Sequence, residues 1–192
     1  MRIDNDDNIV SRRELIVVDR SRDAILRMHL DFARLKVLKG LDTRDRAARL
    51  AQYVDRITSL GKSGESSLAA VMLMEKEYAN EGTLIGDVAR LCGAAVCRHN
   101  TLLFKLLADE ADLNVAMVRG NYRNGENISG HAWNELQLED GRRLLIDVTY
   151  RFAEPIEPQS NTRNHRYLTV RNEPWYEEAK HIVLAVIHNW RC

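Results

Sequence analysis

Apolar positions in the first half of the chain recur at helical spacing, whereas those in the second half alternate or run together as strands do. Within Ser21 to Lys39, the residues Ile25, Met28, Phe32 and Leu35 form a helical stripe that Gly40 can end. Asp42 or Thr43 can cap a second helix with Ala47, Leu50, Val54 and Ile57 as its inner face and Gly61 as its stop. Gly61 to Gly64 reads as a short flexible connection, Ser66 to Tyr78 as a third helix and Leu84 to Leu91 as a short fourth. From Thr101 to Glu110, apolar Leu102, Leu103, Phe104, Leu106, Leu107 and Ala108 cover most of the helix circumference. A helix of that kind is buried on most sides.

Three candidate strands follow, Val115 to Tyr122, His131 to Leu138 and Arg143 to Tyr150. The stretch Tyr122 to Ser129, rich in Asn and Gly, reads as a mobile loop or a plain surface connection. Glu154 to Asn164 holds two of the three prolines and reads as a loop. Arg166 to Val170 suits a fourth strand; Trp175 to Trp190 fits a helix, or a strand at Ile182 to Ile187. The predicted fold is α+β, a buried helix packed on an antiparallel sheet with helices added in front. The expected division is a helical N-terminal region over 1–80 and a core over 81–192, forming one compact domain.

Composition narrows the function classes. The length, 192 residues, suits one domain with a substantial core, and 45% apolar with 29% charged residues is ordinary for a globular protein. Lys plus Arg and Asp plus Glu number 28 each, so no net charge draws the chain to nucleic acid or an anionic membrane. No stretch has the length of a membrane-spanning apolar helix, and Met1 to Asp7 is polar and acidic with no signal-peptide core. A cytoplasmic location is expected, and export that needs no cleaved signal fits the same sequence.

Three cysteines, Cys92, Cys97 and Cys192, are too few for a disulfide framework. Cys97 sits just before the buried helix, placed here near Asn100, where unpaired amides and the helix dipole favour a thiolate. The alternative is a buried structural thiol. A cysteine nucleophile needs an imidazole to take and return a proton, and a third group to orient that ring. His131 opens a predicted strand, and Asp147 interrupts the apolar run Leu144-Leu145-Ile146-Asp147-Val148. A carboxylate in such a run must be paired or sit at the rim of a site. If Glu139-Asp140-Gly141 forms a bulged turn with Gly141 left-handed, Trp133 opposes Asp147, and His131 and Asp147 are diagonal neighbours on one face. A plain two-residue Asp140-Gly141 turn puts them on opposite faces. Cys92, Cys97, His99 and His131 do not have a usual zinc-ligand spacing, so neither a metal nor another cofactor is called for. His99 is expected to pack or bond locally, and Cys192 to have no role.

The segment from Gly93 to Glu110 containing Cys97-Arg98-His99-Asn100, then Val118-Arg119-Gly120-Asn121-Tyr122, Gly130-His131-Ala132-Trp133-Asn134-Glu135 and Leu145-Ile146-Asp147, carries a resemblance. In order and spacing these motifs resemble the transglutaminase/papain-like peptidase domain of plant Raf-like kinases of the ethylene-response and enhanced-disease-resistance type. Related domains occur in armadillo-repeat proteins. The resemblance covers roughly Leu84 to Tyr150 and departs at Asn100, where arginine is expected. It implies a papain/transglutaminase-like catalytic core with Cys97 as nucleophile, His131 as base and Asp147 as orienting acid. Acyl transfer on amide bonds of a protein or peptide would follow, as proteolysis, glutamine deamidation or transamidation, with the Cys97 amide as one oxyanion donor. Trp133, Arg98 and Arg119 are candidate substrate contacts, although Trp133 also suits the core, Arg98 the solvent and Arg119 an ion pair with Glu135. The rival expectation is a catalytically inactive module that binds a protein partner, a role the helical front half could also serve.

Overall fold

Helices in front and strands behind are what the computed structural model shows; it describes residues 15–35, 40–59, 82–90, 95–155 and 166–176. The Gly61 stop, the connection to Gly64, the Ser66 to Tyr78 helix, Cys92, Cys192 and everything after Tyr176 lie outside the described residues. So does most of the predicted Glu154 to Asn164 loop.

Helix α1 spans Ala24–Ala33 and begins at a buried cap. Asp23 accepts the Leu26 N–H at 2.8 Å through one oxygen and the Gly86 N–H at 2.8 Å through the other. The second bond ties α1 to the short helix α3, Ile85–Arg90. Gly86 must lack a side chain, because a Cβ there would lie 2.2 Å from the Asp23 carboxylate. This anchor sets the rotation of α1, and it corrects the predicted stripe. Leu26, His29, Leu30 and Ala33 face the core, while Met28 and Leu35 are exposed and Ile25 and Phe32 half-buried. Two apolar sets a residue apart overlap on this helix, and the docked cap selects one of them.

Helix α2 spans Thr43–Ser59, and Asp42 caps it by accepting the Asp45 N–H at 2.7 Å. Its buried face is Ala47, Leu50 and Val54 as predicted, with Thr58 buried and Ile57 at the margin. Strand β1 (Ile16–Val17) pairs in parallel with β2 (Thr83–Leu84), which leads directly into α3.

Helix α4, Cys97–Glu110, starts earlier than the apolar pattern predicts. The His99 and Asn100 N–H groups both donate to the Val96 carbonyl, and the His99 ring accepts the Val96 N–H at 3.1 Å. These local bonds close a first turn made of polar residues, which the hydrophobic periodicity does not register. Leu103, Phe104, Leu107 and Ala108 are fully enclosed, in a core shared with Leu26 and Leu30 of α1, Leu50 and Val54 of α2, and the sheet. At the other end Glu110, disfavoured by the helix dipole, pairs with Arg20 and Arg34.

Five antiparallel strands follow: β3 (Val115–Asn124), β4 (Asn127–Gln137), β5 (Arg143–Asp147), β6 (Phe152–Pro155) and β7 (Tyr167–Leu168), in the order β6-β5-β4-β3-β7. The predicted loop from Tyr122 to Ser129 is instead the end of a hairpin, paired as far as Asn124↔Asn127. Gly125 at φ +62° makes the tight reversal, so the polar residues extend the strands rather than separate them. The β4–β5 turn is the bulged one: Gly141 has φ +85°, Leu138 N–H donates to Arg142 O, and Gln137 pairs with Arg143. Strand β5 stops at Asp147, short of the predicted Tyr150, because the chain turns there with Arg151 at φ 60°. Glu154 and Pro155, predicted in a loop, belong to β6.

One sheet face (Val115, Leu136, Leu144, Ile146) joins the helical core. The other carries a smaller cluster of Val118, Tyr122, Trp133, Leu145, Tyr167 and Tyr176. Among the described residues no helix is long and apolar enough to cross a membrane. Asp23→Ala removes a cap and strands the Gly86 amide, so it should lower the free energy of unfolding by about 2 kcal/mol. Urea titration of the two proteins measures this.

Candidate active site

The N-terminus of α4 meets β4 where the sheet opens. Pairing of β4 with β5 ends at Asn134↔Ile146, and two residues further along β4 the Ala132 N–H points at the Cys97 sulfur. The Arg98 N–H, in the first turn of α4, also faces that sulfur. Asn134 Nδ2 donates to the Thr101 carbonyl at 3.3 Å and fastens the helix to the strand. Asn100, where arginine was expected, is buried and donates to Thr149 Oγ1 at 3.3 Å. The asparagine thus links the first turn of α4 to the turn after Asp147.

His131, Cys97 and Asp147 are in hydrogen-bonded series. His131 Nε2 lies 2.6 Å from Asp147 Oδ2, and the ring also bonds the half-buried Cys97 thiol. Since Nε2 is occupied, Nδ1 is the nitrogen left for the sulfur. The bulged turn places Asp147 diagonal to His131 on one face of the sheet, and Asp147 is 1% exposed. Its Oδ2 also accepts the Tyr167 hydroxyl at 2.7 Å, while Oδ1 accepts the Thr149 and Tyr150 N–H groups at 3.0 and 3.2 Å. Both oxygens of this buried carboxylate are thereby hydrogen-bonded.

Aromatic rings enclose the imidazole. Tyr122, Tyr150, Trp133 and Tyr167 have ring centroids 5.1–6.1 Å from that of His131. Tyr150 stacks on Tyr122 at 4.3 Å and is 44% exposed, so it forms the open side of the ring cluster.

The electrostatics favour a thiolate–imidazolium pair. Burial pushes the Cys97 thiol up, but the His131 hydrogen bond and charge and the Ala132 and Arg98 amides outweigh it and hold the thiol below its ordinary value. Burial likewise opposes protonation of His131; its bonds to Asp147 and Cys97 prevail and raise it to about 9. The protonated ring therefore contributes stability fully below its ordinary value of 6.5 and loses it as pH rises through about 9. For Cys97 the sign is opposite, its contribution being lost as pH falls through the lowered value. Between those limits the pair is ionic.

Other candidates are placed differently. Trp133 is wholly buried and donates its Nε1–H to the Tyr176 hydroxyl at 2.9 Å, so it is a core residue and does not wall a substrate groove. Arg119 is exposed opposite Ala132 and does not pair with Glu135, which binds Arg143 at 2.9 Å, Trp175 Nε1 and the Tyr176 hydroxyl. Arg98 is half-buried, and its amide faces the sulfur. His99 bonds locally to Val96, as expected. Among the described residues no group of His, Cys, Asp and Glu is placed to hold a metal. The sequence reading missed Tyr167 and the Ala132, Thr149 and Tyr150 amides. Backbone donors leave no trace in residue identity, and Tyr167 comes from a strand three positions away from β5 in the sheet.

A thiol at a helix start, backed by a sheet-borne imidazole and a buried acid, is the kind of site found in peptidase-like domains. Residues 2–151 match the family described as EDR1/CTR1/ARMC3, peptidase-like, and the chain belongs to it. The match takes in the front helices as well as strands β3 to β5 and begins well before the Leu84 to Tyr150 motifs.

Asp147→Asn removes the charge that holds the ring protonated. The His131 midpoint should then drop from about 9 toward or below 6.5, as read by NMR titration of the ring protons.

Proposed function

We propose that the protein is a cysteine-dependent acyl-transfer enzyme acting on amide groups of a protein or peptide, with a papain/transglutaminase-like arrangement. The observation that carries this is the series Cys97–His131–Asp147, with the thiol held low and the imidazole high. A buried helix presenting the thiol to a sheet that presents base and acid supports the papain-like reading.

In this mechanism the Cys97 thiolate attacks the amide carbonyl carbon, and the carbonyl π pair moves onto oxygen. The Cys97 N–H opens α4, where amides lack intrahelical acceptors, and stabilises the oxyanion. His131 gives its Nδ1 proton to the leaving nitrogen as the C–N bond breaks, leaving a thioester on Cys97. Neutral His131 then takes a proton from water, or from an incoming amine, which attacks the thioester and expels the Cys97 thiolate, restoring the thiolate–imidazolium pair. Asp147 keeps its charge throughout and holds Nε2–H in place. Water gives hydrolysis or deamidation, and an amine gives transamidation. Arg98, next to the nucleophile, and the exposed ring of Tyr150 are the side chains we assign to substrate contact.

Iodoacetamide labelling of Cys97 against pH tests the pair. We expect rapid alkylation below neutral pH, and in His131→Ala a profile that rises only near pH ~8.5, as for a free thiol. Turnover on glutamine-containing peptides should fall by about 10²–10⁴ in His131→Ala and decline above pH ~9 in the wild type, where the ring loses its proton. Free-thiol behaviour in the wild-type protein would instead mark a non-catalytic interaction module.

A further inference from the structure

We infer that Tyr167, carried on the short strand β7, is a positioning residue that sets how Asp147 holds His131; this rests on the reading of Cys97 and His131 as nucleophile and base. Asp147 Oδ2 is shared: His131 Nε2 stands 2.6 Å from it and the Tyr167 hydroxyl 2.7 Å. Tyr167 is wholly buried, and burial together with the Asp147 charge raises its phenol far above the ordinary value. The hydroxyl therefore remains a neutral donor at any pH at which the protein is folded. Its hydrogen bond draws charge from the oxygen that faces the imidazole and fixes the carboxylate's rotation.

The segment that delivers this hydroxyl is slight, and it is held at two places. Strand β7 pairs with β3 only at Asn121 and Tyr122. It seats against Gly120, where a Cβ would come within 2.1 Å of the Leu168 carbonyl oxygen. Further on, the Trp175 N–H donates to the Tyr167 carbonyl, and the Trp175 and Tyr176 side chains both bond Glu135. The strap itself, from Tyr167 to Tyr176, lies beyond residue 151, where the family match ends. The orienting acid is thus itself oriented by a strap outside the matched span. The titratable groups facing His131 are Cys97 from α4, Tyr122 from β3, Asp147 from β5, Tyr150 from the following turn and Tyr167 from β7. Of these, Tyr167 donates to the Asp147 oxygen that binds the ring.

The experiment compares the His131 titration by NMR and the Cys97 alkylation profile in wild type, Tyr167→Phe and Tyr176→Phe. Without the phenol the carboxylate faces the imidazolium with undivided charge, so Tyr167→Phe should move the His131 midpoint upward by roughly one unit. Tyr176→Phe loosens the same strap without touching Asp147 and should leave the midpoint in place. Replacing Tyr167 by 3-fluorotyrosine keeps the ring packing but makes a stronger donor, and should shift the midpoint downward even if the phenylalanine variant fails to fold. An unmoved midpoint with either change at Tyr167, or equal shifts in Tyr167→Phe and Tyr176→Phe, overturns the inference. A wild-type His131 titrating near 6.5 overturns the nucleophile–base pair, and the inference with it.

Discussion

The ionised carboxylate of Asp147 stands on a strand that is otherwise apolar, and it is almost wholly removed from water. Such a charge costs several kcal/mol unless each lone pair meets a donor. Four donors converge on it from three parts of the chain: His131 on β4, the Thr149 and Tyr150 amides in the next turn, and Tyr167 on β7. Meeting that requirement demands that β5 end at Asp147, that the β4–β5 register be the bulged one, and that β7 join the sheet beside β3 with Tyr167 on the same face. The arrangement that makes the burial tolerable also sets the imidazole against the thiol.

A second buried acid on that face shows how the partner decides the role. Glu135 lies opposite Leu145 of β5, two residues from Asp147 along that strand. Glu135 is bonded to Arg143, Trp175 and Tyr176. An arginine does not surrender its proton, so Glu135 acts as a clasp for the C-terminal strap. Asp147 meets an imidazole, whose proton can move, and so is placed to orient a candidate base. The same chemical group is structural in one place and a candidate functional group a few ångströms along the sheet.

Much of the fold follows from short-range patterns. The enclosed helix was legible from Leu103, Phe104, Leu107 and Ala108, because a helix apolar on most sides has nowhere else to go. The β4–β5 register was narrowed by the sequence to two alternatives at Gly141, and the structure takes the left-handed bulged turn, which puts Asp147 on the face of His131. The front helix was legible as a helix but not in its rotation. Ile25 and Met28 compete there with Leu26 and His29, and the choice depends on Asp23 reaching Gly86 across sixty-three positions of sequence. The hairpin end from Tyr122 to Ser129 was misread because Asn and Gly suit both a loop and a tight turn, and only pairing with the neighbouring strand distinguishes them.

Residue identity and spacing pointed to the α+β class and singled out Cys97, His131 and Asp147 as candidates, to which the family resemblance assigned roles. These depend on hydrophobic period, turn chemistry and the scarcity of unpaired acids in apolar strands. Tertiary structure decided what surrounds them. The buried Trp133, the Ala132 amide on the sulfur and the Tyr167 hydroxyl on Asp147 all result from elements distant in sequence packing side by side. A backbone donor has no letter in the sequence. A tyrosine in a two-residue strand carries no sign of which buried charge it will meet.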